Sequence, residues 1–206
     1  MRKSFKLIAS MMILTILFAF TGCEYQSTRY VNTGKDQLTG LHHVEIEVEN
    51  YGTICCELDA DTAPISVTNF IELAKSGFYN GTKFHRIISG FMIQGGGALT
   101  QEDFDKVQPI HGEFSSNGTP NDISHLRGTI SMARSVNDPD SATSQFFIVH
   151  QDHPDLDGDY AAFGHVTSGM EVVDKIAEDS ITAPQGDNGM IDAEYQPVIK
   201  EVRVID

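Results

Sequence analysis

Phe84–Gly96 reads FHRIISGFMIQGG, and about fifty residues later Ser144–His150 reads SQFFIVH. Around the first stretch, Lys83 to Ile88 and Met92 to Gly95 are short β-like runs separated by Ser89-Gly90-Phe91. One cation, Arg86, stands among Phe91 and Met92, and Gln94 follows as an amide partner. The second stretch supplies Gln145 and two adjacent aromatics. Neighbouring strand residues point to opposite faces, so Phe146 is assigned to the core and Phe147 to the other face, beside Arg86. Taken singly, Phe91, Met92 and Phe147 would most often be core residues. Taken together, they place one fixed cation against an apolar pocket. His85 lies next to Arg86, but strand alternation turns it away, as a structural hydrogen-bonding residue.

Working outward, His43 to Val48 and Thr53 to Leu58 carry strand-like apolar order around the turn Asn50-Tyr51-Gly52, an opening hairpin. From Ala63 to Lys75 the period changes: Val67, Phe70, Ile71 and Ala74 recur at helical spacing, Pro64 sits early and Gly77 closes the helix. Further β-like runs fall at Gly128 to Ala133, Gln145 to Val149, Ala161 to His165 and Val198 to Ile205, and a second helix fits Met170 to Ala177. Thr100 to Ser124 and Val136 to Ala142 read as loops. Many short strands, two helices and no βαβ rhythm predict a mainly β chain, an antiparallel barrel or sandwich.

The N-terminus has a different character. Arg2, Lys3 and Lys6 precede the uncharged run Leu7 to Phe20, fourteen residues long. A membrane-spanning helix needs about 20 residues, so this basic-then-apolar pattern reads as a secretory signal over residues 1–22. Thr21 and Gly22 lead to Cys23, an ending that resembles a bacterial lipobox with Phe20 in the place usually held by Leu. The resemblance implies a diacylglyceryl group on Cys23. Two acyl chains suffice for stable attachment, whereas one binds only marginally. The expected location is therefore extracytoplasmic, anchored to the cell membrane, with residues 23–39 as a polar flexible tether and residues 40–206 as one domain.

The formal charge is −15, and losing the three cations ahead of Cys23 makes it −18 because that segment holds no acid. Such a surface repels nucleic acid and is not expected to bind it. Apart from Cys23, the cysteines are the neighbours Cys55 and Cys56, which a strand points to opposite faces, so they read as packing residues or free thiols.

FHRIISGFMIQGG, GTISMARS at Gly128–Ser135, SQFFIVH, LDGDYAAFGHV at Leu156–Val166 and GMEVVDKI at Gly169–Ile176 together resemble the cyclophilin family of peptidyl-prolyl cis-trans isomerases, in order, from about Leu41 to the C-terminus. The resemblance implies a closed eight-stranded antiparallel β-barrel capped by two α-helices, with the substrate groove on its outer surface. Arg86 then falls on the catalytic arginine, Phe91, Met92, Phe147 and Leu156 on the walls of the proline pocket, and Gln94 on the glutamine that contacts the substrate backbone. Ala133 and Arg134 fall on the segment whose backbone pairs with the peptide; Arg134 replaces an asparagine, so only its backbone is carried over. Gln145 borders that segment, Tyr160 stands where many relatives have histidine, and Asp155 stands where the drug-binding tryptophan would be.

The implied chemistry is self-consistent. An X-Pro amide resists rotation by about 18–20 kcal/mol because the nitrogen lone pair is delocalised. In the twisted transition state that pair returns to nitrogen, and a donor aimed there favours the transition state over both ground states. No nucleophile, metal or cofactor is required. In the acidic stretch around His150, Asp152, His153, Asp155, Asp157 and Asp159, Asp155-Leu156-Asp157-Gly158 echoes part of an EF-hand loop, but with His153 as its first position Gly164 occupies the place of the closing glutamate, so no metal is expected. GxSxG, HExxH and P-loop patterns are absent, which excludes the matching hydrolase, metalloprotease and NTPase readings. The expected partners are proline-containing polypeptides, unfolded exported proteins among them, acted on by a monomer. The alternative is a catalytically idle peptide-binding or chaperone module, for which Arg86 would be unnecessary.

Overall fold

A computed structural model describes residues 36–206. The expected signal segment, Cys23 and the expected tether up to residue 35 lie outside the described residues. Eight strands and three α-helices follow in the order β1 (Leu41–Val48), β2 (Gly52–Asp59), α1 (Pro64–Lys75), β3 (Arg86–Ile88), β4 (Met92–Gly95), α2 (Gln101–Lys106), β5 (Thr129–Met132), β6 (Phe146–Val149), β7 (Ala162–Ser168), α3 (Met170–Ser180) and β8 (Ile199–Val204).

Alternation builds the opening hairpin. Val44, Ile46 and Val48 of β1 and Ile54, Cys56 and Leu58 of β2 turn inward and are buried, while Asn50 takes the left-handed turn position at φ 65°. Cys56 is buried and Cys55 half-buried, and both are free thiols. Pro64 opens α1, yet Ala63 offers no side-chain cap. The orphan N–H groups are met from afar by Glu113, whose carboxylate accepts from Ile65 N at 2.9 Å, Ser66 N at 2.8 Å and Ser66 Oγ at 2.7 Å. This long-range cap ties the 107–114 segment to α1. Burial pushes the Glu113 pKa up, against the opposing pull of those hydrogen bonds.

Two expectations are corrected. The segment Thr100 to Ser124, expected as a loop, contains α2, so the described residues hold three α-helices and not two. Thr100 Oγ1 caps the helix by accepting from Asp103 N at 3.1 Å, and its hydroxyl donates to Asp103 Oδ2 at 2.7 Å. Nothing in α2 is buried, so it leaves no apolar period to read.

The sheet is antiparallel throughout, ordered β3-β4-β6-β5-β7-β2-β1-β8, and its ladder is open between β3 and β8 where a closed barrel was expected. Across the gap runs one isolated bridge, Lys83 to Val198. Phe84 N donates to Pro197 O at 2.9 Å and Ile199 N to Thr82 O at 2.7 Å. Pro197 has no N–H with which to return the first bond, and the Thr82 N–H is spent on Tyr79 O. The first pair therefore lacks its return bond, and in the second Ile199 O accepts instead from Gly81 N at 2.8 Å, one residue out of register. Inside the half-barrel, Ile87, Ile93, Ile148 and Ile130 lie opposite one another across β3, β4, β6 and β5, and Phe70, Tyr79, Phe84, Phe146 and Phe163 are fully buried.

Candidate active site

The same four strands carry a second row on their outer face. Arg86 pairs with Gln94, Gln94 with Phe147 and Phe147 with Ser131. Directly opposed residues share a face, so strand register alone aligns a cation, an amide, an aromatic ring and a hydroxyl. The next outward row is Ile88, Met92 and Val149. Met92, Phe147 and Val149 form a small apolar cluster separate from the core, flanked by Phe91, Ala133, Leu156 and Tyr160.

Above this floor lies a groove of about 260 Å³ lined by Arg86, Phe91, Met92, Gln94, Ala133, Arg134, Val136, Phe147, Leu156 and Tyr160. It gathers every site residue expected from the sequence except Gln145 and Cys23. Gln145 stands one bond behind, its Oε1 accepting from Gln94 Nε2 at 3.0 Å; Cys23 lies outside the described residues. Phe147 is in the groove and Phe146 in the core, as strand alternation predicts.

Arg86 is held by two oxygen acceptors, and its Nη1 also lies 3.7 Å from Met92 Sδ. Its Nε donates to Asn188 O at 2.9 Å and its Nη1 to Gln94 Oε1 at 3.2 Å, and the guanidinium lies 5.9 Å from the Phe91 ring centroid. Neither hydrogen bond uses the two donors on Nη2. Burial draws the Arg86 pKa down from its ordinary value, a shift that a guanidinium tolerates while staying charged near neutrality.

Arg134 serves the rim by a different route. Its Nε donates to Asp159 O at 2.8 Å and its Nη1 to Ser135 O and Val136 O. The group lies 4.7 Å above Tyr160 and 5.2 Å above Phe114. The Ala133 N–H is occupied by Gln145 O at 2.9 Å. The acidic run 152–159 disperses: Asp155 turns to His153, Asp157 to Ser124 and His125, and Asp159 to Ser116.

Two features of the site were not anticipated. Behind Phe147 lies His125, wholly buried, its ring stacked on Phe147 at 5.9 Å and 16° and edge-on to Tyr160 at 6.4 Å. Its Nδ1 meets Asp157 Oδ1 at 2.8 Å and its Nε2 meets Ser131 Oγ at 3.0 Å. Burial lowers the His125 pKa against the pull of Asp157. For Asp157, burial acts upward, but bonds from Ser124 and His125 outweigh it and the net shift is down. The second feature is Asn188, at a left-handed φ of 59°, which presents its carbonyl to Arg86. Gly189 lets that turn press onto β3, since a Cβ there would lie 2.7 Å from Ile87 O. His125 is lone and aperiodic, and the Asn188 contact is made by backbone, so neither left a sequence signal.

Residues 43–204 match the family described as cyclophilin type peptidyl-prolyl cis-trans isomerase/CLD. The chain is 49% identical over 132 residues to peptidyl-prolyl cis-trans isomerase A of Dickeya dadantii (strain 3937), covering 62% of this chain and 67% of that one. It is 42% identical over 172 residues to a peptidyl-prolyl cis-trans isomerase of Acinetobacter baylyi, covering 81% and 83%. Among solved structures it is similar to a cyclophilin type peptidyl-prolyl cis-trans isomerase of Cryptosporidium parvum, at 27% identity and a TM-score of 0.65, covering 81% of this chain and 99% of that one. The chain thus belongs to the cyclophilin-type peptidyl-prolyl cis-trans isomerases, enzymes that act on proline-containing peptides.

Proposed function

We propose that this chain isomerises X-Pro bonds with Arg86 as the catalytic donor. The observation that carries this reading is the two-point fixing of its guanidinium by Asn188 O and Gln94 Oε1 at the wall of an apolar groove. A proline ring seated among Phe91, Met92, Phe147 and Leu156 brings its nitrogen under the remaining donors, while Gln94, backed by Gln145, holds the neighbouring carbonyl. Ala133, Arg134 and Tyr160 border the path of the peptide backbone. Because the donor is oriented before substrate arrives, its gain is realised at the twisted state, where nitrogen becomes an acceptor. Uncatalysed exchange takes tens to hundreds of seconds, and reaching a millisecond needs roughly 6–7 kcal/mol of barrier lowering. The test is exchange across an X-Pro peptide by wild type and Arg86→Lys. A point charge on a flexible stem cannot replace the planar fork, so the lysine variant should lose most activity, and full activity in it would remove the planar donor from the account.

The finer role is assistance to exported proteins at the outer face of the membrane, with Cys23 as the lipid attachment point. It is supported by the short apolar run Leu7 to Phe20 and the Thr21-Gly22-Cys23 ending. Native protein should partition with membranes and carry acyl mass on its N-terminal cysteine, and Cys23→Ala should not. Recovery of an unmodified soluble mature chain from wild-type cells would exclude the anchor.

A further inference from the structure

The turn between β3 and β4 sets Phe91 at the wall of the groove, and two histidines hold its backbone. Gly90, at a left-handed φ of 83°, donates its N–H to His150 Nδ1 at 2.9 Å. Its carbonyl accepts from His153 Nε2 at 3.2 Å. Phe91 N donates to Ile88 O at 2.9 Å, and Phe91 O accepts from His150 N at 2.8 Å. The polar groups of this turn that depend on side chains are thus both on Gly90, and both depend on imidazoles. The His153 ring also meets the Phe91 ring edge-on at 4.5 Å.

The partners fix which nitrogen carries hydrogen. A backbone N–H can only donate, so His150 Nδ1 is bare and its hydrogen sits on Nε2, facing Asp174 Oδ1 at 3.2 Å. Arg127 Nη2 donates to Asp174 Oδ2 at 2.7 Å and its Nη1 to His150 O at 2.7 Å. That bond from Arg127 is the chief cause of a lowered Asp174 pKa, which keeps the carboxylate charged. A second proton on His150 has only Nδ1 to occupy, where it turns the acceptor of the Gly90 N–H into a competing donor. The His150 side chain is only 12% exposed, so water is a poor substitute for the lost partner. His153 works in the opposite sense: its Nε2 already donates to Gly90 O, and a proton on its Nδ1 meets Asp155 Oδ1 at 3.2 Å. The charged groups around this junction are Asp174 on α3, Arg127 ahead of β5, and Asp152 and Asp155 after β6, with Asp152 accepting from Arg127 N at 2.7 Å.

We infer that His150 is a positioning residue for the proline pocket: its unprotonated Nδ1 holds the Gly90 turn, and through it the Phe91 wall, where a proline ring can seat. This rests on the groove reading above and adds an acid-sensitive support to it. Phe91 grips the ring in planar and twisted states alike, so losing the support should weaken binding and leave kcat unchanged.

The test compares full-length wild type with His150→Asn and His150→Ala on a blocked X-Pro peptide without titratable side chains. Titration gives the dissociation constant, and an exchange assay gives kcat. Asparagine can place its Oδ1 where Nδ1 stands and does not titrate, so His150→Asn should keep wild-type affinity at about pH 8. By about pH 5, across the span in which imidazoles change charge, wild type should bind about fivefold more weakly than His150→Asn, the scale of one hydrogen bond. His85, His125 and His153 remain in both proteins and cancel in that ratio. His150→Ala should bind about fivefold more weakly than His150→Asn at about pH 8, with kcat unchanged. A ratio of wild type to His150→Asn that does not change with pH would overturn the inference, as would an alanine effect on kcat and not on affinity. The first criterion holds whether or not the alanine variant folds. Absence of exchange in wild type would count against Arg86 chemistry and leave the affinity ratio to report on His150.

Discussion

The floor and the rim of the groove are built differently. Arg86, Gln94, Phe147 and Ser131 stand in register on four neighbouring strands, so their spacing is fixed by the ladder. Asn188, Arg134, Asp155 and Leu156 come from loops and short 3₁₀ turns, held by backbone carbonyls and exposed pairs. The contrast assigns chemistry to the floor and selectivity to the rim, because only the ladder supplies the positional accuracy that transition-state stabilisation needs.

Phe147→Ala should cost most among the contrasts that can break this division. It removes a ring only 5% exposed and should lower kcat/KM by about 2–4 kcal/mol, read in an exchange assay; a loss no larger than that of rim variants would erase the distinction.

His125→Gln comes next. Removing the stacked ring and its bonds to Asp157 and Ser131 should cost about 1–3 kcal/mol of stability, measured by urea unfolding. The pH dependence has a definite sign. A histidine whose folded pKa lies below its ordinary 6.5 contributes stability that is present above that value and lost as pH falls through the folded pKa. Wild type should therefore weaken on acidification below about pH 6.5, and His125→Gln should flatten part of that slope. His85, also lowered by burial, keeps its share in both proteins. His43 is raised by Asp206 and acts in the opposite direction. Identical slopes in wild type and variant would separate His125 from the acid response.

At the rim, Asn188→Val places a branched side chain at left-handed φ and should cost about 1–2 kcal/mol. Asn188→Gly should not incur that strain, and the difference should appear as slower turnover in the valine variant if its carbonyl orients Arg86. The smallest effect is expected for Asp155→Trp, within about 0.5 kcal/mol on turnover, as for other exposed positions. Asp155 carries a side chain 75% exposed and paired with His153 at 3.2 Å. A carboxylate has no apolar face for a macrocycle to cover, so cyclosporin should bind wild type weakly and the tryptophan variant more tightly. Tight inhibition of wild type would show that the missing indole is immaterial.

The same division explains what could be read from the sequence. Strands and amphipathic helices announce themselves by period, so β4, α1 and the opposite facing of Phe146 and Phe147 follow from alternation, and the ordered motifs name the groove residues. Contacts made by backbone carbonyls or between distant loops have no period. Asn188 reaching Arg86, His125 meeting Asp157 and Glu113 capping α1 belong to that class. The cap of α2 was written in Thr100 and Asp103, but a helix without a buried face gives a hydrophobic pattern nothing to find. The open seam follows from Pro197 and from the Tyr79–Thr82 turn, whose competing hydrogen bond is visible only in three dimensions.

The most direct test of the central claim is a separate determination of kcat and KM for Arg86→Ala on an X-Pro peptide, with folding checked by circular dichroism. A donor that acts at the twisted transition state predicts kcat lower by about 10²–10³ with KM little changed. Wild-type kcat in a folded Arg86→Ala, or a loss confined to KM, would contradict the account.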